Sequence, residues 1–227
     1  MWVLGLTGGI GAGKSTLSKY LKYEGIPVHS ADREIHCLLR TDPEIQHKIR
    51  ELWPDVFING NIDRKILGDR ALSSPGGLFV LEDILYPKLA QRQRAFLFQN
   101  QKHKASCVVL DIPLLFETGL DQYCDFVILA SAPFFLRKQR VLRREGMTLK
   151  KFQTLESHQM MEVQRKKRAD FVISCGRDKG SALKKIKHIL SFFSQKPSPQ
   201  WKGRWPINII RSLHGTRNCF RHRNNRI

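Results

Sequence analysis

Five short apolar runs punctuate the chain: Trp2 to Leu6, Ile26 to Val28, Cys107 to Leu110, Phe126 to Leu129 and Phe171 to Ser174. They are rich in β-branched and aromatic residues and nearly continuous in hydrophobicity, which predicts parallel strands covered on both faces rather than half-exposed ones. Helical stretches lie between them, so the pattern is an alternation of strand and helix. The segment Pro43 to Asn100 differs. Apolar residues recur there at helical spacing, at Ile45, Ile49 and Leu52 and again at Leu78, Leu81, Ile84 and Leu85, with breaks at Pro54, Asn59-Gly60-Asn61 and Ser74-Pro75-Gly76-Gly77. It predicts a helical insertion between the second and third strands. Ligands of open parallel sheets sit at the carboxyl ends of the strands, so such an insertion would overhang the site and receive a substrate.

The first strand runs directly into Gly8-Gly9-Ile10-Gly11-Ala12-Gly13-Lys14-Ser15, followed by Thr16. This is a complete G-x-x-x-x-G-K-[ST] phosphate-binding loop in its proper setting, strand before and helix after. Glycines let successive backbone N–H groups converge on a polyphosphate without Cβ atoms in the way, and the following helix, over Lys14 to Glu24, adds the positive end of its dipole. The expected nucleotide contacts are Gly11, Ala12, Gly13, Lys14, Ser15 and Thr16. Lys14 would reach the β and γ phosphates as a point charge, Ser15 would ligate Mg²⁺, and Thr16 would touch the α-phosphate.

Three further places carry candidate chemistry. The second strand ends in Val28-His29-Ser30-Ala31-Asp32. Asp32 reads equally as a helix N-cap and as a carboxylate placed to take a proton from an attacking hydroxyl or to hold Mg²⁺ through water. His29 reads as structural. The third strand ends in Asp111, a loose strand-end carboxylate near the Mg²⁺ shell, and Pro113 through Glu117 would line a pocket for a partly apolar substrate. After the fourth strand, Arg140 and Arg144 stand four apart on one helical face, with Gly146 as a break where a lid could hinge. Their cations would neutralise the moving phosphoryl group.

Composition alters this picture little. The net charge is +19, but residues 196–227 hold eight lysines and arginines and no acid, so the excess is concentrated in the tail and in the Arg137 to Arg144 cluster. It is weak support for a nucleic-acid partner. Five widely spaced cysteines, without a C-x-x-C pair, indicate neither a disulfide framework nor a zinc site, and they fit a reducing cytosol. No run approaches a membrane span, so a soluble cytoplasmic protein is expected.

Together, Leu6 to Thr16, Ala31-Asp32, Asp111-Ile112-Pro113-Leu114-Leu115-Phe116-Glu117 and Arg168-Ala169-Asp170-Phe171-Val172-Ile173 resemble the dephospho-CoA kinase family, over the chain from its start to about Phe193. The run Asp111 to Glu117 is the most specific piece. The resemblance implies an α/β fold of the P-loop kinase kind: a three-layer sandwich with a five-stranded parallel sheet, a helical acceptor-binding insertion and a lid. It divides the chain into a domain over 1–195, with the insertion at about 43–100 and the lid at about 137–150, and a basic tail over 196–227 expected to be disordered.

The implied reaction moves the γ-phosphoryl group of ATP, with Mg²⁺, to the ribose 3′-hydroxyl of dephospho-CoA, the last step of coenzyme A synthesis. Asp32 would be the base, Lys14 the phosphate cation, Asp111 an auxiliary carboxylate, and Arg140 and Arg144 the lid. A monomer without membrane or nucleic-acid partners is expected. The family often has Asp-Ala-Asp at Ser30-Ala31-Asp32, Leu-His-Pro at Leu85-Tyr86-Pro87, and Asn-Gly at Cys175-Gly176. Two rival readings are a kinase for another nucleotide or nucleoside, and a catalytically degenerate P-loop module acting through a nucleic-acid-binding tail.

Overall fold

The structure, a computed structural model, describes residues 1–206 with the exception of Arg177. Strand β1 (Trp2–Gly8) leads to helix α1 (Lys14–Tyr23), and β2 (Val28–Ser30) leads to α2 (Ala31–Thr41). The insertion follows: α3 (Pro43–Leu52), the two-residue strands β3 (Phe57–Ile58) and β4 (Asn61–Ile62), α4 (Arg64–Ser73) and α5 (Gly77–Lys102). The chain then alternates through β5 (Cys107–Asp111), β6 (Phe126–Ser131), α6 (Phe134–Leu142), α7 (Leu149–Ser157), α8 (Glu162–Arg168), β7 (Phe171–Ser174) and α9 (Lys179–Gln195).

All five expected strands pair in parallel in one sheet, in the order β2-β5-β1-β6-β7. Period-two alternation divides them between two cores. Val3, Val108, Leu110 and Val127 face a core with Leu38, Ile45, Leu89 and Leu97 of α2, α3 and α5. Leu4, Leu6, Val109 and Ile128 face a second core with Leu17 and Leu21 of α1 and Ile186 and Phe193 of α9. Burial on both sides of every central strand is why the sequence shows apolar runs without alternation, and it makes the three-layer sandwich. The second strand starts later than its apolar run. Pro27 has no N–H to give the ladder, but its carbonyl accepts from Val109 N at 2.9 Å.

The insertion is helical with one exception. The break at Asn59-Gly60 is the turn of the β3–β4 hairpin, with positive φ at both residues (49° and 79°), the geometry that a two-residue hairpin turn requires. One side chain of the expected helical stripe diverges: Ile45 and Ile49 are buried, whereas Leu52, in the last turn of α3, is 50% exposed.

The tail corrects the sequence expectation over its first residues. Instead of extending freely from 196, the segment to 206 lies back across α5, with Trp201 and Trp205 buried at 8% and 3% exposure. Gln101 donates to the Trp201 carbonyl at 2.9 Å, the Trp205 indole N–H donates to Gln93 Oε1 at 3.2 Å, and the Met1 amino group donates to the Pro199 carbonyl. Edge-to-face contacts of Trp201 with Phe98 and Trp205 with Tyr123 complete the strap. The remainder of the expected basic tail, 207–227 with Cys219, lies outside the described residues.

Candidate active site

Every strand-end residue singled out in the sequence comes to the carboxyl edge of the sheet because the strands are parallel. In the loop between β1 and α1, Gly11 and Gly13 take φ of 76° and 103°, which L side chains rarely adopt. A Cβ on Gly11 would lie 2.7 Å from the Arg137 carbonyl, and one on Gly13 would lie 2.8 Å from Cys175 Cβ. Only glycine fits these two positions on grounds of both conformation and space. The loop closes through Ala12 N to the Gly9 carbonyl at 2.9 Å, and α1 starts at Lys14.

Lys14 Nζ is held at 2.6 Å by Asp111 Oδ1 and stands 3.7 Å from Asp32 Oδ2. The two carboxylates arrive by adjacent strands: Ser30, at the end of β2, is in register with Asp111, at the end of β5. Asp111 is buried at 3% exposure, but the Asp32 side chain is 58% exposed. The N-cap reading of Asp32 does not describe its position. Ser30 occupies the cap, and Asp32 is the second residue of α2, in the first turn.

A cavity of about 750 Å³ opens over this group. Gly11 to Thr16 line it, as do Asp32, Arg140 and Arg144, and Leu78, Phe79, Glu82 and Tyr86 of α5 contribute further wall. Pro113, Leu114 and Glu117 extend it, as do Leu155, His158 and Gln159 at the end of α7. The insertion and the segment after β6 therefore both border the phosphate loop. They also touch each other: Lys151 of α7 pairs with Asp69 of α4 at 2.6 Å, and Lys65 Cε lies 3.2 Å from the Cβ position of Gly146, whose φ is 72°.

The two arginines expected in the lid differ in their surroundings. Arg144 is exposed at the cavity wall. Arg140 is tied down: Nη1 donates to the carbonyls of Gly11 (3.3 Å) and Cys175 (2.9 Å), and Nη2 donates to the Gly176 carbonyl (2.6 Å). It joins the phosphate loop to the turn after β7.

Several functional neighbours were invisible in the sequence. Arg137 and Arg165, 3% and 1% exposed, back the phosphate loop, and a Cβ on Gly9 would lie 2.9 Å from a guanidinium nitrogen of each. Arg137 makes a bidentate pair with Glu156 (2.7 and 2.8 Å), and Arg165 pairs with Glu162 at 2.9 Å. Gln159 Oε1 accepts both the Ile10 N–H (3.0 Å) and Arg165 Nη1 (3.3 Å). Both arginines lie in basic runs that read as solvated or phosphate-facing; the glutamates three to nineteen positions away were the available signal. Arg168 and Asp170 prove structural, Arg168 clamping Asp121 at 2.8 and 2.9 Å and Asp170 accepting from Val127 N at 2.7 Å.

His29 is structural as well. It is 8% exposed, stacks edge-on with Phe96, and neither ring nitrogen has a hydrogen-bond partner; burial lowers its pKa to about 4. Across the cavity, burial first and the Glu82 carboxylate second hold Tyr86 well above the usual phenol range, so its O–H stays protonated.

A dephospho-CoA kinase (CoaE) family model matches residues 2–179. The chain is 39% identical over 190 residues to the dephospho-CoA kinase of Agrobacterium fabrum, covering 84% of this chain and 97% of that one. It is 40% identical over 186 residues to that of Rhodospirillum rubrum, covering 82% and 88%. Among solved structures, TT1252 from Thermus thermophilus superposes with a TM-score of 0.69 at 30% identity, covering 84% of this chain and 97% of that one. Dephospho-CoA kinase from Campylobacter jejuni shares the fold with a TM-score of 0.59 at 21% identity, covering 86% and 98%. The phosphate loop, the carboxylates converging on its lysine and the matched length agree: the chain belongs to the dephospho-CoA kinase family, ATP-dependent kinases of the last step of coenzyme A biosynthesis.

Proposed function

We propose that this chain transfers the γ-phosphoryl group of ATP to the ribose 3′-hydroxyl of dephospho-CoA, with Asp32 as the general base. The observation that carries the reading is the placing of an exposed carboxylate, Asp32, 3.7 Å from Lys14 Nζ, at the boundary between the phosphate loop and the cavity wall of the insertion.

The glycines let the loop pack against Arg137, Arg165 and Cys175 and take the positive φ that turns it around a polyphosphate, which fits a nucleoside triphosphate. The backbone N–H groups of Gly11, Gly13, Lys14 and Ser15, with the Lys14 ammonium, bind its phosphates, while Ala12 and Thr16 shape the loop through their bonds to the Gly9 and Gly13 carbonyls. Arg140, bound to the Gly11, Cys175 and Gly176 carbonyls, shapes the loop end where the nucleoside lies, and Arg144 meets the phosphate charge. Ser15 and Asp111 supply hard oxygen donors suited to Mg²⁺, which shares few protein ligands with substrate phosphates; when bound it neutralises phosphate charge.

In the transfer, the acceptor oxygen bonds to the γ-phosphorus as the bond to the β–γ bridging oxygen breaks, ADP leaves, and the hydroxyl proton passes to Asp32. The Leu78, Phe79 and Leu114 side of the cavity takes the less polar arm of the acceptor. All these groups come from one chain, which is compatible with action as a monomer. A cytoplasmic location agrees with the free thiols of Cys37, Cys107, Cys124 and Cys175. Among the described residues no helix is long and apolar enough to cross a membrane.

The test is turnover of ATP with Mg²⁺ against dephospho-CoA, adenosine and AMP as separate acceptors. The reading expects a 3′-phosphorylated product from dephospho-CoA and at most slow reaction with the others. Preference for adenosine or AMP would refute it in favour of another nucleotide or nucleoside kinase.

A further inference from the structure

Helix α7 walls two cavities with one face. Leu155 and His158 line the active-site cavity, while Lys151 and Thr154 line a second one of about 580 Å³. The four residues share one stripe of the helix, at i, i+3, i+4 and i+7, so the second cavity follows the first along α7 over about 10 Å. Its other wall is α4, through Ile66, Asp69, Arg70 and Ser73, which repeat the same spacing, with Leu72 beside them. Helix α4 packs against α5, whose Leu78 and Phe79 line the first cavity. Both cavities therefore open between the insertion and α7. Lys151 pairs with Asp69 from the facing walls at 2.6 Å, which fixes the width of the second one.

Size demands such an extension. A volume of about 750 Å³ is that of a site for one drug-sized ligand, yet the active-site cavity must seat a nucleoside triphosphate and its acceptor together. The lining of the second cavity says which part of the acceptor enters. Two of its three cations are already answered, Lys151 by Asp69 and Arg70 by Asp55 at 2.6 Å, and the third, Lys150, is exposed. It is not built for another anion. Ile66 and Leu72 supply apolar surface. The Thr154 and Ser73 hydroxyls donate to the carbonyls of Lys150 and Arg70, at 3.1 and 3.2 Å, and keep lone pairs that can accept from an amide N–H. A neutral chain of methylenes and amides matches this lining.

We propose that the cavity between α4 and α7 is the subsite for the distal, amide-bearing end of the acceptor's arm, which passes Leu78 and Leu155 and lies along α7 to Thr154. The inference rests on the dephospho-CoA reading of the active site.

The experiment compares dephospho-CoA with an analogue whose arm stops after its first amide, in the parent, Thr154→Trp and Ser73→Trp. The two substitutions fill the cavity from opposite walls, at a half-buried and an exposed position. The parent should favour the full arm by about tenfold in kcat/KM, from a lost hydrogen bond and lost apolar contact. Each variant should lose a similar factor with the full arm and distinguish the two acceptors by no more than about twofold, with the KM for ATP within about twofold of the parent.

Equal use of both acceptors by the parent, within about twofold, would overturn the proposal whether or not the variants fold. So would either folded variant keeping the parent's preference for the full arm, or a loss that appears equally in the KM for ATP. Absence of any turnover of dephospho-CoA by the parent would instead remove the kinase reading, and this inference with it.

Discussion

Lys14 Nζ stands 3.7 Å from Asp32 Oδ2, outside hydrogen-bond range, while its bond to Asp111 is closed at 2.6 Å. The difference sorts two carboxylates that look alike in the sequence. Asp111, buried and in contact with the lysine, is the fixed partner that aims it, and removing it would strand a largely buried cation. Asp32, exposed in the first turn of α2, stays outside that bond, as the proposed general base requires.

Arg140 holds three carbonyls from two separate segments with one planar fork. Lysine keeps the charge but cannot reproduce that geometry. Arg140→Lys should raise the KM for ATP about tenfold or more, from the loss of two or three hydrogen bonds, and leave the KM for dephospho-CoA within about twofold. Steady-state kinetics with each substrate varied separately checks this, and a change confined to the acceptor KM would place Arg140 on the other side of the cavity.

The strap over residues 199–206 should contribute substantially to stability. Trp205 is 3% exposed, and its indole N–H donates to Oε1 of the fully buried Gln93. Trp205→Ala should cost about 3 kcal/mol or more, from lost packing and an unpaired amide oxygen, lowering the melting temperature by on the order of 10 °C. Trp205→Phe should retain part of the packing and lose less. A melting temperature unchanged in Trp205→Ala would show that the strap does not hold α5.

His29 makes stability depend on pH with a definite sign. Its folded pKa, about 4, lies below the ordinary imidazole value of 6.5, since burial penalises the imidazolium and Glu34 Oε2, at 3.8 Å, is too distant to bond it. The unfolded chain therefore binds the extra proton between these values. The contribution is complete above about pH 6.5 and is lost as pH falls toward 4, up to on the order of 3 kcal/mol. Thermal melts across pH 4 to 7 should show a steeper acid-side fall for the parent than for His29→Gln; parallel curves would contradict it.

What could be read in the sequence was what depends on contiguous residues or on strand ends. The phosphate loop declares itself because Gly11, Gly13 and Lys14 answer local demands for conformation, space and charge. Asp32 and Asp111 could be placed because parallel strands deliver their carboxyl ends to one edge. The buried Arg137 and Arg165 could not, since their burial depends on Glu156 and Glu162 folding against the same loop, and a cation in a basic run looks solvated until its partner is located. The β3–β4 hairpin has strands of two residues each, too short for any period to register. The tail was hidden by its charge: Lys196, Lys202 and Arg204 surround the two tryptophans that bury themselves against α5.

The most direct test of the central claim is the kcat of Asp32→Asn with dephospho-CoA and Mg-ATP, measured beside its affinity for ATP. The substitution keeps size and removes the proton acceptor. A fall in kcat of about 10²- to 10⁴-fold, with ATP binding within about twofold of the parent, is the result predicted for a general base 3.7 Å from the phosphate-loop lysine. A kcat near that of the parent would contradict it and leave Asp32 with only an electrostatic or structural part.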